Sequence, residues 1–244
     1  MECTEMEYVL DVHTHTIASG HAYSTMREMA TMARDKGLEV LGITEHAVAM
    51  PDTCGNFYFQ NLKMVDRHMV DGIELMLGVE LNILDFDGSV DMKEEVLKKM
   101  DIVVASMHIP CMKKGTREEN TRSYINIMKN PYVDIIGHPD DGRFPVDYKE
   151  LVYGAKEYGK LLEVNNNSLD PRCTRQGGYE NYREILEYCK ELGVSIVVNS
   201  DAHVDHLVGN HKEAYDLLEK ISFPEELVVN RSVTELKKRL RKYK

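Results

Sequence analysis

The chain has 244 residues, 43% hydrophobic and 29% charged, which suits one large α/β domain with a real core and excludes a disordered or fibrous protein. Its formal net charge of −11 disfavours a general nucleic-acid surface, because counterion release needs clustered Lys and Arg. No apolar run approaches the ~18 residues that span a bilayer, "MECTEMEYVL" has no leader pattern, and Cys3, Cys54, Cys111, Cys173 and Cys189 lack CxxC spacing, so no membrane partner, reduced thiols and a cytoplasmic location are expected.

The first strand is expected in "YVLDVHTH" from Tyr8, then a helix opening at Thr25 with Glu28 in capping-box spacing and closing at Gly37. Met26, Met29 and Met32 in that helix read as core filler. "VLGITEH" from Val40 is the second strand; "NLKMVDRHMVDG" from Asn61 reads as helical, with His68 in a surface or helix-packing role. "LMLGVEL" from Leu75, "DIVVASMH" from Asp101, "VDIIGHP" from Val133, "LLEVNNN" from Leu161 and "VSIVVNSDAH" from Val194 complete seven candidate strands. Helices between them are announced near Asp91, by Thr116 with Glu119, by Asp147 with Glu150, and by Gly159 and Gly193 at C-cap positions. "ELVVNRS" from Glu226 makes a weak eighth strand, and the basic run from Lys237 to Lys244 reads as a solvated tail at the end of the last helix. Asn166 and Asn230 begin N-x-S sequons that carry no weight without a secretory route.

Strands alternating with helices, each strand almost continuously apolar, indicate a parallel sheet covered by helices, in a single domain over residues 1–244. The polar residues closing successive strands are His13, His46, Glu80, His108, His138, Asn165 and Asp201, spaced by 33, 34, 28, 30, 27 and 36 residues, one βα unit each time. That repeat describes a barrel of βα units with seven strands, whose carboxyl ends converge on one face. His13, His15, His21, His46, His108, His138 and His203, seven of the ten histidines, fall at or just beyond strand ends, together with Glu80 and Asp201. Such a crowd is costly to bury without cations. Nine ligands exceed one tetrahedral site and suit two or three, and mixed N and O donors without thiolate suit zinc, manganese or iron.

"DVHTHT", His21, "ITEH", "GVELN", "SMH", "GHP" and "NSDAH" resemble the successive metal motifs of the PHP (polymerase and histidinol phosphatase) family, from Asp11 to His203 and in family order. The length and "LLEVNNNSL" resemble its YcdX-like phosphatase branch. The resemblance implies a distorted TIM-like (β/α)7 barrel with three divalent ions per chain. By it, His13, His15, Glu80 and Asp201 hold the first ion, Glu80 bridges to a second held by His108 and His138, and His21, His46 and His203 hold the third.

The chemistry expected of such a site is hydrolysis of a small phosphomonoester, a phosphorylated metabolite, by a hydroxide held between metals, with Glu80 and Asp201 central. Arg143, Arg172 and Arg175 lie in loops expected on the catalytic face and are candidates for phosphate, as is His206, which is also a candidate general acid. His211 is a weaker candidate for touching substrate, and Glu45 either orients an imidazole or faces the helices. Histidinol-phosphatase-like, exonuclease and amidohydrolase-type activities are the alternatives, with a metal-binding interaction module outside catalysis. The sequence leaves the substrate and the oligomeric state open, a homo-oligomer included.

Overall fold

The computed structural model describes residues 8–244, so Cys3 lies outside the described residues. Strands β1 (Leu10–Asp11), β2 (Val40–Ile43) and β3 (Glu74–Leu77) form one parallel sheet; β4 (Val79–Asn82), β5 (Val103–Ser106), β6 (Ile135–Ile136), β7 (Leu161–Asn165) and β8 (Ile196–Asn199) form a second. Helices α1 (Met26–Asp35), α2 (Asn56–Asn61), α3 (Glu94–Leu97), α4 (Arg117–Met128), α5 (Tyr148–Tyr158), α6 (Gly178–Leu192), α7 (Lys212–Lys220) and α8 (Val233–Arg239) fall between and after them. Thr25 and Thr116 close capping boxes with Glu28 and Glu119, Asp147 accepts from the Glu150 amide, and Gly159 and Gly193 end their helices in the left-handed conformation.

Three expectations about elements need correction. "LMLGVEL" is two strands: β3 pairs with β2, and after Gly78 β4 pairs with β5. A Cβ on Gly78 would lie 2.2 Å from the Ile102 carbonyl oxygen, so only glycine lets the chain change partners there. The helical reading of residues 61–72 holds only to Met64, because the Asp66 carboxylate takes the His68 amide at 2.9 Å and turns the chain; His68 is exposed as expected. "ELVVNRS" forms two short 3-10 turns, Glu225–Leu227 and Val229–Arg231, joined to β8 by one Ile196–Val228 bridge and by the Asn230 side chain rather than as a strand.

The sheets have two buried faces, an outer one against the helices and an inner one. The outer face packs Leu41, Leu75, Val103, Leu162 and Val198 against helical residues such as Met29, Leu151 and Leu186. The inner face carries Leu10, Val40, Met76, Ile102, Val104, Ile135, Leu161 and Val197, drawn from both sheets, with Val229, Leu236 and Leu240 beneath them. Side chains alternate along a strand, so continuing inward two residues at a time leads from Val40 to His46, Met76 to Glu80 and Asn82, Val104 to His108, Leu161 to Glu163 and Asn165, and Val197 to Asn199 and Asp201. Apolar residues thus fill the amino ends of this face and ligand-type residues its carboxyl ends.

Side chains join β1 to β8. Thr14 and Ala202 form a single bridge, the Val12 amide donates to Asn199 Oδ1 at 2.9 Å, and the buried Asn230 amide group donates to the carbonyls of Leu10 (3.1 Å) and Val198 (2.6 Å). The basic C-terminal run is docked in part: Lys237 pairs with Glu74, Lys242 with Asp101, and Arg241 donates to the Leu97 and Met100 carbonyls, while Lys238, Arg239 and Lys244 are exposed. Among the described residues no helix is long and apolar enough to cross a membrane.

Candidate metal centre

The nine residues singled out by their positions at strand ends come together. Glu80, on β4 and fully buried, lies within reach of five imidazoles: its Oε1 is 3.0 Å from His138 Nε2, 3.2 Å from His108 Nε2 and 3.4 Å from His13 Nε2, and its Oε2 is 2.7 Å from His46 Nδ1 and 3.6 Å from His15 Nε2. Asp201 Oδ1 gathers His15 Nε2 (3.3 Å), His13 Nε2 (3.7 Å) and His203 Nδ1 (3.7 Å). His21, exposed at the mouth, joins through its Nε2 at 3.2 Å from His46 Nε2. The imidazoles stack, with centroids 4.2 Å apart for His15 and His46, 4.4 Å for His15 and His203, and 4.9 Å for His21 and His203.

Three groups of these residues have ligand atoms close enough to hold one ion each: His13, His15 and Glu80; His46, Glu80 and His108; His15, His46 and His203. His15 and Glu80 belong to more than one group, so the clusters are contiguous. Several of the atoms are buried without a hydrogen-bond partner: His13 Nε2, His15 Nε2, His46 Nδ1, His108 Nε2 and Glu80 Oε2. Buried polar atoms are almost always paired, and five that are unpaired and face one another fit divalent cations.

Protonation agrees with that fit. Burial works against the charge on Glu80 and Asp201, yet the polar groups around them outweigh it. His108, His13 and His46 hold the Glu80 carboxyl well below the usual carboxylate range, and His13 and Arg175 do the same for Asp201. Burial and then His46 and His203 push His15 well down and His21 down; His108 is lowered by burial. Neutral imidazoles beside ionised carboxylates are the donor set a dication takes. His13 goes the other way: burial opposes its charge, but Glu163, Glu80 and Asp201 raise it well above the ordinary value, so a cation at its Nε2 competes with a proton.

A layer of supporting groups fixes the imidazoles. Glu163 Oε1 meets His13 Nδ1 at 2.6 Å and accepts from Asn199 at 2.8 Å, while Glu163 Oε2 takes the His138 amide at 2.7 Å. Asn82 Oδ1 meets His108 Nδ1 at 2.7 Å. Ser19 Oγ meets His15 Nδ1 at 3.0 Å and donates to Glu45 Oε2 at 2.6 Å, so Glu45 faces the site and acts on His15 through Ser19. Such contacts set ring tautomer and orientation. Apart from Glu45 the sequence reading missed these groups. Glu163 carried a signal, being a carboxylate inside an apolar strand, two residues before Asn165 and therefore on its face. His138 and Asp201 also have positive φ (27° and 54°), a costly conformation for non-glycine residues that no sequence pattern announces.

Of the remaining candidates, only Arg175 touches a candidate ligand. Arg175 is half-buried and donates to Asp201 Oδ2 (2.8 Å), Asn165 Oδ1 (3.1 Å) and Ser168 Oγ (3.1 Å). Arg143 pairs with Asp141 and Arg172 with Asp170, each at 2.6 Å. These three arginines share a cavity of about 460 Å³ with Asn167 and Thr174. His206 is exposed in the loop after Asp201 and His203. His211 is buried with Nε2 3.8 Å from Asp11 Oδ2, lining a separate cavity with Tyr8 and Lys36.

Comparison with known proteins gives the family and the fold. Residues 11–223 match the family model described as the PHP domain. A probable phosphatase of Acetivibrio thermocellus is 44% identical over 239 residues, covering 98% of both chains. A probable phosphatase of Clostridium novyi is 46% identical over 225 residues, covering 92% of this chain and 91% of that one. A crystal structure of histidinol phosphate phosphatase from Lactococcus lactis, complexed with zinc, L-histidinol and phosphate, is similar with a TM-score of 0.63 at 22% identity, covering 89% of this chain and 95% of that one.

Proposed function

Because the chain belongs to the PHP domain family, we propose that it is a metal-dependent phosphatase that hydrolyses small phosphomonoesters. The observation that carries the reading is the set of unpaired, buried imidazole and carboxylate atoms facing one another around Glu80. In this reading the chain acts as one domain, and its two sheets, with β3 and β4 counted as one interrupted strand, make up a distorted seven-stranded barrel; the Asn199 and Asn230 side chains between β1 and β8 support it.

His13, His15, Glu80 and Asp201 would hold one divalent ion, Glu80 with His108 and His138 a second, and His21, His46 and His203 a third, zinc first and manganese or iron as alternatives. Bound there, divalent ions lower the pKa of water toward ~7 and act as Lewis acids on phosphoryl oxygens. The chain's own groups supply position. Glu163, Asn82 and Ser19 turn the Nε2 atoms of His13, His108 and His15 inward. Arg175 and Asn165 occupy Asp201 Oδ2, leaving Oδ1 toward the histidines. Arg143, Arg172, Arg175 and His206 bind the substrate at the mouth, where guanidinium forks suit phosphate.

The test compares p-nitrophenyl phosphate, bis-p-nitrophenyl phosphate and a single-stranded oligonucleotide on one metal-loaded preparation. Chelator-sensitive hydrolysis with the monoester preferred by kcat/KM is expected. An oligonucleotide preferred over both would replace this reading with an exonuclease.

A further inference from the structure

The cavity that holds the three mouth arginines has a volume of about 460 Å³, within the roughly 300–1,000 Å³ of small-molecule sites. Segments that leave three successive strands build it: Arg143 follows β6, Asn167, Asp170, Arg172 and Arg175 follow β7, and Leu207 follows β8. It shares a wall with the metal centre, because Arg175, which lines it, also donates to Asp201 Oδ2 at 2.8 Å. Of the side chains that line it, only those of Leu207 and Cys173 lack a strong hydrogen-bonding group.

The charges of this cavity are already matched. Arg143 gives Nε and Nη2 to Asp141 at 2.9 and 2.6 Å, Arg172 gives the same two atoms to Asp170 at 2.9 and 2.6 Å, and Arg175 gives Nη2 to Asp201. Pairing of this kind uses one edge of the guanidinium, so Nη1 of Arg143 and of Arg172 lies on another edge, a donor beside a neutralised charge. Asn167 and Thr174 add groups that both donate and accept. A second anion on the substrate would meet a carboxylate at every guanidinium, and an apolar group would take water from these side chains without replacing its hydrogen bonds. Hydroxyls do neither, since each can donate to a carboxylate and accept from an N–H.

We infer that this cavity receives the alcohol part of the substrate and that this part is rich in hydroxyls, so that the enzyme prefers phosphomonoesters of sugars and polyols to those of apolar alcohols or of alcohols that carry a second anion. The inference rests on the phosphatase reading and names its substrate class. A phosphoryl group held beside Asp201 is one side chain, Arg175, away from the cavity, and the group esterified to it extends along that wall. Arg175 then stands between phosphate and alcohol, while Arg143, Arg172, Asp170 and Asn167 meet the hydroxyls.

The experiment compares sorbitol 6-phosphate, 6-phosphogluconate and hexyl phosphate, primary esters of equal chain length, on metal-loaded protein and on its Asn167→Ala, Asp170→Asn and double variants. Sorbitol 6-phosphate is expected to lead both others by at least about tenfold in kcat/KM, mostly through KM, and the double variant to lose about tenfold of the lead over hexyl phosphate. Asp170→Asn alone releases Arg172, so 6-phosphogluconate should gain about threefold on sorbitol 6-phosphate. Equal kcat/KM for sorbitol 6-phosphate and hexyl phosphate, a lead that the variants leave unmoved, or a preference of the unmodified protein for 6-phosphogluconate overturns the inference. Hydrolysis of all three without preference would leave the phosphatase reading standing and reject this one. If none is hydrolysed, the phosphatase reading fails, and calorimetry with the same esters, then not consumed, decides: tighter binding of sorbitol 6-phosphate that the double variant removes upholds a hydroxyl-binding cavity, and equal binding rejects it.

Discussion

Buried carboxylates at the two ends of the strands face opposite situations. At the amino ends, Asp101 (1% exposed) accepts from the Leu77 amide at 2.9 Å and from Arg67 at 2.7 Å, with Lys242 beside it, and Asp134 (5%) accepts from the amides of Val103 at 3.0 Å and Arg241 at 2.8 Å. At the carboxyl ends, Glu80 (0%) and Asp201 (5%) are equally buried, and although Arg175 and Asn165 satisfy Asp201 Oδ2, Glu80 Oε2, the Nε2 atoms of His13, His15 and His108, and His46 Nδ1 lack hydrogen-bond partners. Both ends bury charge. One end satisfies it with main-chain amides and cationic side chains and so spends it on the fold; the other leaves lone pairs facing a common centre and so holds it for a ligand.

The largest expected effect is at Glu80. Glu80→Gln should lower kcat/KM by more than the roughly 10–100-fold that losing a ligand's orienting partner costs. It should also weaken metal binding; unchanged metal content and turnover would make Glu80 a structural carboxylate like Asp101, and the contrast between the ends would collapse.

Glu163→Gln comes next. It keeps a side chain of the same shape beside His13 but removes the charge, so metal affinity should drop about 10–100-fold with little change in fold. Competition against a chromogenic chelator measures it, and unchanged affinity would mean that Glu163 only fills space. Asp101→Ala belongs to the opposite class. It leaves the buried Leu77 amide without an acceptor and should cost about 1–3 kcal/mol in urea unfolding with metal content intact; loss of metal would show that the two ends are coupled. The smallest effect is expected for Lys242→Ala, whose exposed ammonium is screened by solvent and should contribute at most about 1 kcal/mol to the same measurement.

Much of this contrast can be read in the sequence from one end only. The nine ligand-type residues announce themselves because each closes an apolar run, and the period of the βα unit brings them to one face. Caps at Thr25, Thr116 and Asp147 are local and were equally legible. The supports were not. Glu163 meets His13 across 150 residues, and a parallel sheet buried on both faces gives no polar alternation to say which residues point inward. Asn230 looked like an idle sequon because its partners, Leu10 and Val198, lie in remote strands. The basic tail was misread for the same reason: a run of Lys and Arg looks solvated until Glu74 and Asp101 are known to stand opposite it.

The central claim, that the carboxyl ends of the strands hold several cations at once, is tested most directly by elemental analysis of purified protein alongside its specific activity during stepwise metal removal. Two to three transition-metal ions per chain are expected, with activity lost before the last ion leaves, because Glu80 and His15 each belong to more than one ligand group. Full activity with a single ion, or with none, would contradict it.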